Sequence, residues 1–597
     1  MDLIARYFVI VSFSFLSGCG DTGSKNIPPS LSFDVPTTVN EQTIGTLVST
    51  STDRDGDLLK HEWTQLSGTT VTLTVINETS VEFLAPDINK DEKVQFSLSV
   101  SDGRGGVSVD NDIVITLLAS QADKSNITDA GVVLNASVDS PFIAMLDITG
   151  DLSQVTTVDV SVLSKVGASA SSYLTTFEAG DLISNSDALS LPFGGLYDDY
   201  KNNVQVLFIF DDGSTLEFEK EIETVKFNSP WTVEVVHAVN PNLQPEFSFL
   251  YVQSLSTGPT ILDVDGNFRW VQLPKEPLLV NEDLSGVRGQ AVLEDNGKFI
   301  VAVQDKIGSI ALDGKSSFVE IKSSNMTEIH AHHDLDHGRF GYLVEIDATY
   351  LDNETRIIES ILVDVNLEGE IFKVWDFGSI LSDYMIENGD DPSNFVRDGY
   401  DWFHMNSAIY DEANNLIIAS SRENFVIAID YDTNEIKWLF GDETKHWYEN
   451  YASLRNLSLS SIDIKPMGQH SLSIDDGNLL MFNNGQKSFN QPQGVPAGAT
   501  LETSLVSSYQ IDQETQSALR FWNYDAGIYS DICSSVYKFK ESSDYLIMYT
   551  SAGRLNKDEP YFAVMQAINK SKNILFEFKL SQVNQGCMTA FQAAPLK

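Results

Sequence analysis

Asp430-Tyr431-Asp432-Thr433-Asn434-Glu435-Ile436-Lys437-Trp438 is a run of acidic and amide residues that leads directly into a tryptophan. The same grammar occurs at residues 263–270 (DVDGNFRW) and, stretched, at residues 364–375 (DVNLEGEIFKVW). Asp and Asn side chains bond to their own backbone two residues on, and Gly accepts left-handed dihedrals, so each segment reads as a tight turn. Between the turns lie apolar, β-branched runs such as NLIIAS at 415–420 and NLLMF at 478–482, which read as strands. Helical periodicity is nearly absent. A recurring unit of this kind predicts an all-β chain whose residues 230–597 form a six-bladed β-propeller of roughly 61 residues per blade.

Working outward, two further all-β segments precede that region. Residues 30–119 alternate short strands with turns, as in HEWTQL (61–66), VTLTVI (71–76) and VQFSLSVSDG (94–103), and predict a β-sandwich. Residues 120–229 predict a second one, with strands at 158–163, 204–210 and 215–218 and a hairpin turn at Asp211-Asp212-Gly213-Ser214. In the first, Asp53-Arg54-Asp55-Gly56-Asp57, His61-Glu62-Trp63 and Asp102-Gly103-Arg104-Gly105-Gly106 resemble the polycystic-kidney/cadherin-like modules of extracytoplasmic proteins. Asp53, Asp55 and Asp57 could ligate calcium through oxygen, or simply form a solvated Asp-Gly turn, since the closing Glu of an EF-type loop is missing.

The chain has 597 residues and a net charge of −47, from 38 basic against 85 acidic side chains. That balance excludes nucleic acid as a default partner, because phosphate binding needs a basic face. At the N-terminus Arg6 precedes the apolar run YFVIVSFSFL (7–16), which is about half the length a membrane-spanning helix needs. Leu16-Ser17-Gly18-Cys19 is similar to the lipobox of bacterial lipoproteins. The resemblance implies a signal peptide over 1–18, lipidation at Cys19, a polar tether over 19–29 and, with Gly20 next, an outer-membrane address facing the periplasm or cell surface. Several acyl chains, at about 0.8 kcal/mol per buried CH₂, would make the attachment firm. Two cysteines remain, Cys533 and Cys587. In an exported chain they form either one disulfide or two buried thiols.

Seven of the nine histidines lie between His330 and His470. His332-His333-Asp334, His404 within DWFHMNS (401–407) and Gln469-His470-Ser471 each precede a predicted strand. The intervals are 71 residues from His333 to His404 and 66 from His404 to His470. Equivalent positions in successive blades converge on the central channel, so these side chains are expected to meet. Three histidines can also hold zinc. However, only Asp334 offers a carboxylate at the same phase, and Arg422 beside a dication is unfavourable, so no metal is assigned.

These motifs, with Ser420-Ser421-Arg422, Ser534-Ser535-Val536 and LPFGGLYDDYKNNV at 191–204, resemble the bacterial arylsulfate sulfotransferases over about residues 126–597. The resemblance implies a ping-pong transfer of a sulfuryl group from an aryl sulfate donor to a phenol acceptor through a sulfated histidine. It makes His470 the sulfuryl acceptor, His404 and Arg422 the ligands of the sulfate oxygens, and His333, with a register uncertain by one from His332, the remaining catalytic histidine. Asn406 would support the substrate site. It implies no nucleotide cofactor, and the chain has no Gly-rich phosphate loop. The closely spaced cysteine pair of some relatives is missing, and the first sandwich is an addition. Tyr400, Trp402 and Phe403 are either aromatic walls of the channel mouth or blade core. Two other readings fit the same residues: a non-catalytic propeller that binds an anion or protein partner, and a hydrolase that releases sulfate to water. Whether the chain forms a homodimer is left open by the sequence.

Overall fold

The computed structural model describes residues 25–86, 88, 91–119, 127–137, 140–182, 188–254, 257–272, 291–294, 297–539, 542–552, 562–582 and 592–596. The signal run, Cys19 and Cys587 fall outside them. The chain divides into two compact units, one of residues 1–126 with 210–214 and one of the remaining residues.

In the first unit two four-stranded sheets enclose one core that contains Trp63, Phe83 and Phe96. One sheet carries Lys60–Ser67 and Glu92–Ser101 side by side; the other is built on Ile44–Ser49 and Ser80–Leu84. Inward residues alternate with outward ones, as in Ile44–Ser49, which is the pattern of a half-buried strand. The expected strand over 71–76 shortens to Thr74–Val75.

In the second unit, Val155–Val162, Tyr173–Glu178, Lys201–Phe210 and Thr215–Glu223 form one sheet. Val132–Ala136, Ala144–Thr149 and Ala188–Phe193 form another. The Gly194-Gly195-Leu196-Tyr197 segment follows that last strand. Gly195 has φ +83°, and a Cβ there would lie 2.2 Å from the Tyr173 ring, so only glycine fits. Its carbonyl accepts from Nε and Nη2 of Arg269 at 2.9 and 2.7 Å, while Arg269 Nη1 pairs with Asp263 at 3.2 Å, all with no exposure. A buried guanidinium of this kind requires such saturation of its donors.

The rest of the second unit contains six antiparallel sheets in chain order. They start at Phe249–Ser254, Ala291–Leu293, Met326–His337, Met405–Asp411, His470–Asp475 and Ser535–Lys538. Two are completed by strands from the opposite end of the region. Trp231–His237 pairs with Ile574–Gln582, and Gln592–Leu596 pairs with Phe249–Ser254. The leading strands touch in succession, from Ala291–Leu293 through Met326–His337, Met405–Asp411, His470–Asp475 and Ser535–Lys538 to Gln592–Leu596.

The three acidic turns all fall between the third and fourth strands of a sheet. Asp263, Asn366 and Asp430 each accept two backbone N–H bonds from the turn that follows. Trp270, Trp375 and Trp438 then lie in the fourth strand, at most 1% exposed. In each hairpin a β-bulge precedes the tryptophan, directly before Trp270 and Trp438 and at Phe372 in the hairpin of Trp375. A fourth copy, which the sequence pattern did not single out, runs from Asp512 to Trp522 and carries the same bulge.

Candidate functional site

The three histidine groups sit on the leading strands of three consecutive sheets, and each leading strand is irregular at that point. Pairing jumps between His332 and Leu335, between Met405 and Ser407, and between His470 and Ser473. A bulge inserts unpaired residues and re-aims side chains. His333, His404 and Ser471 all have left-handed φ, at 58°, 51° and 55°. Non-glycine residues reach that region only at a conformational cost, so the surrounding contacts must hold them there.

Those contacts are present. His404 O accepts from Arg422 N at 3.1 Å, Asn406 Nδ2 donates to Gln469 O at 2.9 Å, and Leu472 N donates to Ser407 Oγ at 2.9 Å. Gln469 Nε2 in turn donates to Ser420 Oγ and Ser421 O at 3.1 and 2.9 Å. Asn406 is therefore a stitch between the His404 and His470 strands, with its Oδ1 buried and unpartnered among the described residues. Asp334, next to His333 in its bulge, bonds to Ser407 of the following sheet; burial, aided by Asp336, pushes its carboxyl up to about 8.

Both histidines approach Glu359, His332 with Nδ1 3.8 Å from Oε1, and His333 is the one packed against His404. Its ring centroid lies 4.8 Å from that of His404, and its Nε2 lies 3.3 Å from Glu359 Oε2. His332 turns to Asp347, with Nε2 at 3.0 Å from Oδ1. Glu359, on Arg356–Val365, is the residue the sequence reading missed. It sits with φ 48° in a bulge, and its Oε2 also lies 2.5 Å from His404 Nδ1. Asp401 Oδ2 lies 2.8 Å from the same nitrogen. Both neighbours only accept, so His404 Nδ1 carries a proton, and Nε2 forms no hydrogen bond among the described residues.

The two carboxylates set the charges. Burial and Arg422 oppose protonation of His404, but Glu359 and Asp401 outweigh them and its pKa is raised. Burial by itself would raise Glu359, yet His333 and His404 hold it well below the usual carboxylate range. Burial dominates at His333 and lowers it to about 4 despite Glu359. Two triads here, His332 with His333 and Glu359, and Glu359 with Asp401 and His404, have metal-ligand residue types. Ligands sharing one tetrahedral zinc would stand about 3.4 Å apart. The 2.5 and 2.8 Å separations at His404 are shorter than that, whereas His333 and His332 stand 3.3 and 3.8 Å from the Glu359 oxygens.

His470 is 7% exposed. Its Nδ1 lies 2.7 Å from Asn484 Oδ1 and 3.2 Å from Gly468 O. Burial, then the charges of Arg422 and His404, hold its pKa well below the ordinary histidine value. Its surroundings therefore favour the neutral imidazole.

Arg422 spends part of its donor fork internally. Nε donates to Glu423 Oε1 at 3.1 Å, Nη2 donates to the same oxygen, and the plane lies over the Phe489 ring at 4.9 Å. Nη1 is the end left without a partner among the described residues. Lys445, fully buried, donates to Arg422 O and Glu423 O at 3.3 and 3.1 Å; burial lowers its pKa to about 8. Neither Glu423 nor Lys445 carried a sequence signal.

Residues 232–592 match the arylsulfotransferase (ASST) family model. This chain belongs to that family. The arylsulfotransferase match takes in all three bulged histidine strands and Glu359. Residues 36–116 match a PKD domain model. A relative, Arylsulfate sulfotransferase AssT of an Escherichia coli O6:H1 strain, is 28% identical over 147 residues, which is 22% of this chain and 24% of that protein. The matched stretch thus spans about a quarter of that relative. Among solved structures, the beta-propeller domain of Myceliophteria thermophila Cps50 (Swd1) is 10% identical, with a TM-score of 0.27 over 58% of this chain and 99% of that one. A Bacteroides thetaiotaomicron protein of unknown function is 9% identical, with a TM-score of 0.26 over 76% and 98%.

The other sequence candidates lie apart. Trp402 and Phe403 are core, 2% and 0% exposed, whereas Tyr400 is 64% exposed. Cys533 is a half-buried thiol among the described residues, and its expected partner Cys587 lies outside them. In the first unit Asp53 Oδ1 accepts from Asp55 N and Asp57 N at 2.8 and 3.1 Å, and Asp57 pairs with Arg104 at 3.3 Å. The turn is thus bonded to itself, and the three carboxylates also stand within 4.8 Å of one another, a grouping of cation-ligand residue types. No helix among the described residues is long and apolar enough to cross a membrane.

Proposed function

We propose that this arylsulfotransferase moves a sulfuryl group from an aryl sulfate to a phenol by a two-step exchange through His470, in the channel of a closed six-bladed propeller. The pairing of Trp231–His237 into the sixth sheet and of Gln592–Leu596 into the first supports the closed ring. The observation that carries the chemistry is the buried imidazole of His470, whose pKa Arg422 and His404 help hold well below the ordinary value while that of His404 itself is raised. An unprotonated imidazole is a nucleophile near pH 7.

In the first step His470 Nε2 attacks sulfur, the sulfur–oxygen bond to the aryl group breaks, and its electron pair leaves on the phenolate oxygen. Arg422 Nη1 holds equatorial oxygens, as cationic clamps do in phosphoryl transfer. His404 Nε2–H gives its proton to the leaving phenolate, and Glu359 with Asp401 holds the imidazolium in place. The second step runs the same sequence backwards with a new phenol. His333, neutral over the working range, packs against His404 and orients it. No nucleotide takes part. We further propose export as a lipoprotein acylated at Cys19.

Nitrophenyl sulfate assayed with and without added phenol tests this reading. Nitrophenol release that requires phenol supports transfer. Equal release in its absence would make the protein a hydrolase, and none at all would make it a binding module.

A further inference from the structure

His470 is held by Asn484, and the orientation of that amide can be read from its surroundings. Asn484 Nδ2 lies 2.6 Å from Ser530 O and 2.9 Å from Cys533 O. Both are carbonyls and only accept, so the nitrogen must face them. A flipped amide would set its oxygen against two oxygens. Asn484 Oδ1 therefore faces His470 Nδ1 at 2.7 Å. The second neighbour of that nitrogen, Gly468 O at 3.2 Å, also accepts. Nδ1 must carry the hydrogen, and the lone pair sits on Nε2. The support is rigid: Asn484 is fully buried, Ser504 Oγ donates to Asn484 O at 2.9 Å, and Ser530 N donates to that hydroxyl at 2.8 Å.

We propose that Asn484 is a positioning residue that fixes His470 as the Nδ1–H tautomer and, being a neutral acceptor, keeps the sulfuryl adduct ready to be passed on. The inference rests on the two-step reading above. When Nε2 forms its bond to sulfur, Nδ1 keeps its hydrogen and the ring becomes a cationic N-sulfo imidazolium. Asn484 Oδ1 stabilises that hydrogen but has no basicity to remove it. In the second step the nitrogen–sulfur bond breaks with its electron pair returning to Nε2, and the departing group is a neutral imidazole. A carboxylate at 484 would take the Nδ1 proton, and the departing group would then be an imidazolate, a far poorer one.

The test is Asn484→Asp beside wild type and Asn484→Leu, each treated with nitrophenyl sulfate alone and then chased with phenol. Asn484→Asp should still accept the sulfuryl group, while phenol discharges it at least about tenfold more slowly. Asn484→Leu, with the tautomer no longer fixed, should be labelled on the order of a hundredfold more slowly. Discharge of Asn484→Asp at the wild-type rate overturns the proposal. Wild type that never becomes labelled overturns the two-step reading beneath it as well. A measurement that needs no variant at 484 is the nitrogen chemical shift of histidine-labelled wild type, with His470 assigned by difference from His470→Gln. The proposal requires a protonated Nδ1 and an unprotonated Nε2, and the reverse assignment contradicts it.

Discussion

The sheet that starts at Ala291–Leu293 and the three that follow it share an architecture but not a finish. Its three strand pairings run without a register break. The pairing of the first strand with the second is also regular in the sheets of Ser535–Lys538 and of Gln592–Leu596. In the three histidine sheets that same pairing is broken at the histidines. The difference teaches where the molecule spends conformational strain. Regular leading strands build the scaffold, and bulged ones tilt imidazoles out of the pleat toward their neighbours.

The largest effect that can break this comparison is His470→Ala. It should lower aryl sulfate turnover by about 10⁴-fold or more while the thermal midpoint stays near wild type. A smaller loss would make the bulge at His470 a packing feature. Glu359→Gln comes next, with turnover down about 100-fold and a displaced pH profile. Glu359 raises the His404 pKa, so its removal lowers that pKa, and the basic limb of the profile moves toward lower pH. An unmoved basic limb would show that Glu359 does not set the acid. In the regular sheet, Ile307→Ala, at a fully buried position, should cost about 2–5 kcal/mol of stability and leave turnover per folded molecule unchanged. The smallest effect concerns the −47 charge. Surface charges are screened within about 8–10 Å at physiological ionic strength, so moderate salt should raise donor association slightly or leave it unchanged. A steep fall with salt would reveal basic steering instead.

What could be read in the sequence follows from what is local. The acidic turns and tryptophans are a contiguous pattern, because one hairpin contains the whole unit, and they placed three of the four such hairpins found. Gly195 was legible within its motif for the same reason: one backbone dihedral and one close ring decide it. The histidines were legible because they recur at the heads of leading strands. Glu359 was not. It sits in the middle of RIIESILVDV, a buried third strand, and only the polar Glu359-Ser360 pair interrupting the apolar run hints at the bulge. Asp401 lay inside a quoted motif three residues from His404, but residue spacing alone does not show that its carboxylate turns to that imidazole. Asn484 and Lys445 meet the site only through contacts between neighbouring segments of one sheet, and Glu423 only by folding back on its neighbour Arg422. The choice between His332 and His333 needed the bulge itself, since one residue of slip exchanges the two faces of a strand.

The central claim is that His470 carries the sulfuryl group between donor and acceptor. Intact-mass and peptide analysis of the protein, treated with nitrophenyl sulfate without phenol and quenched under mildly alkaline conditions, tests it most directly. The account predicts one added sulfuryl group on the peptide containing His470, removed by phenol and missing in His470→Ala. An unmodified His470 peptide in protein that actively transfers sulfuryl groups would contradict it.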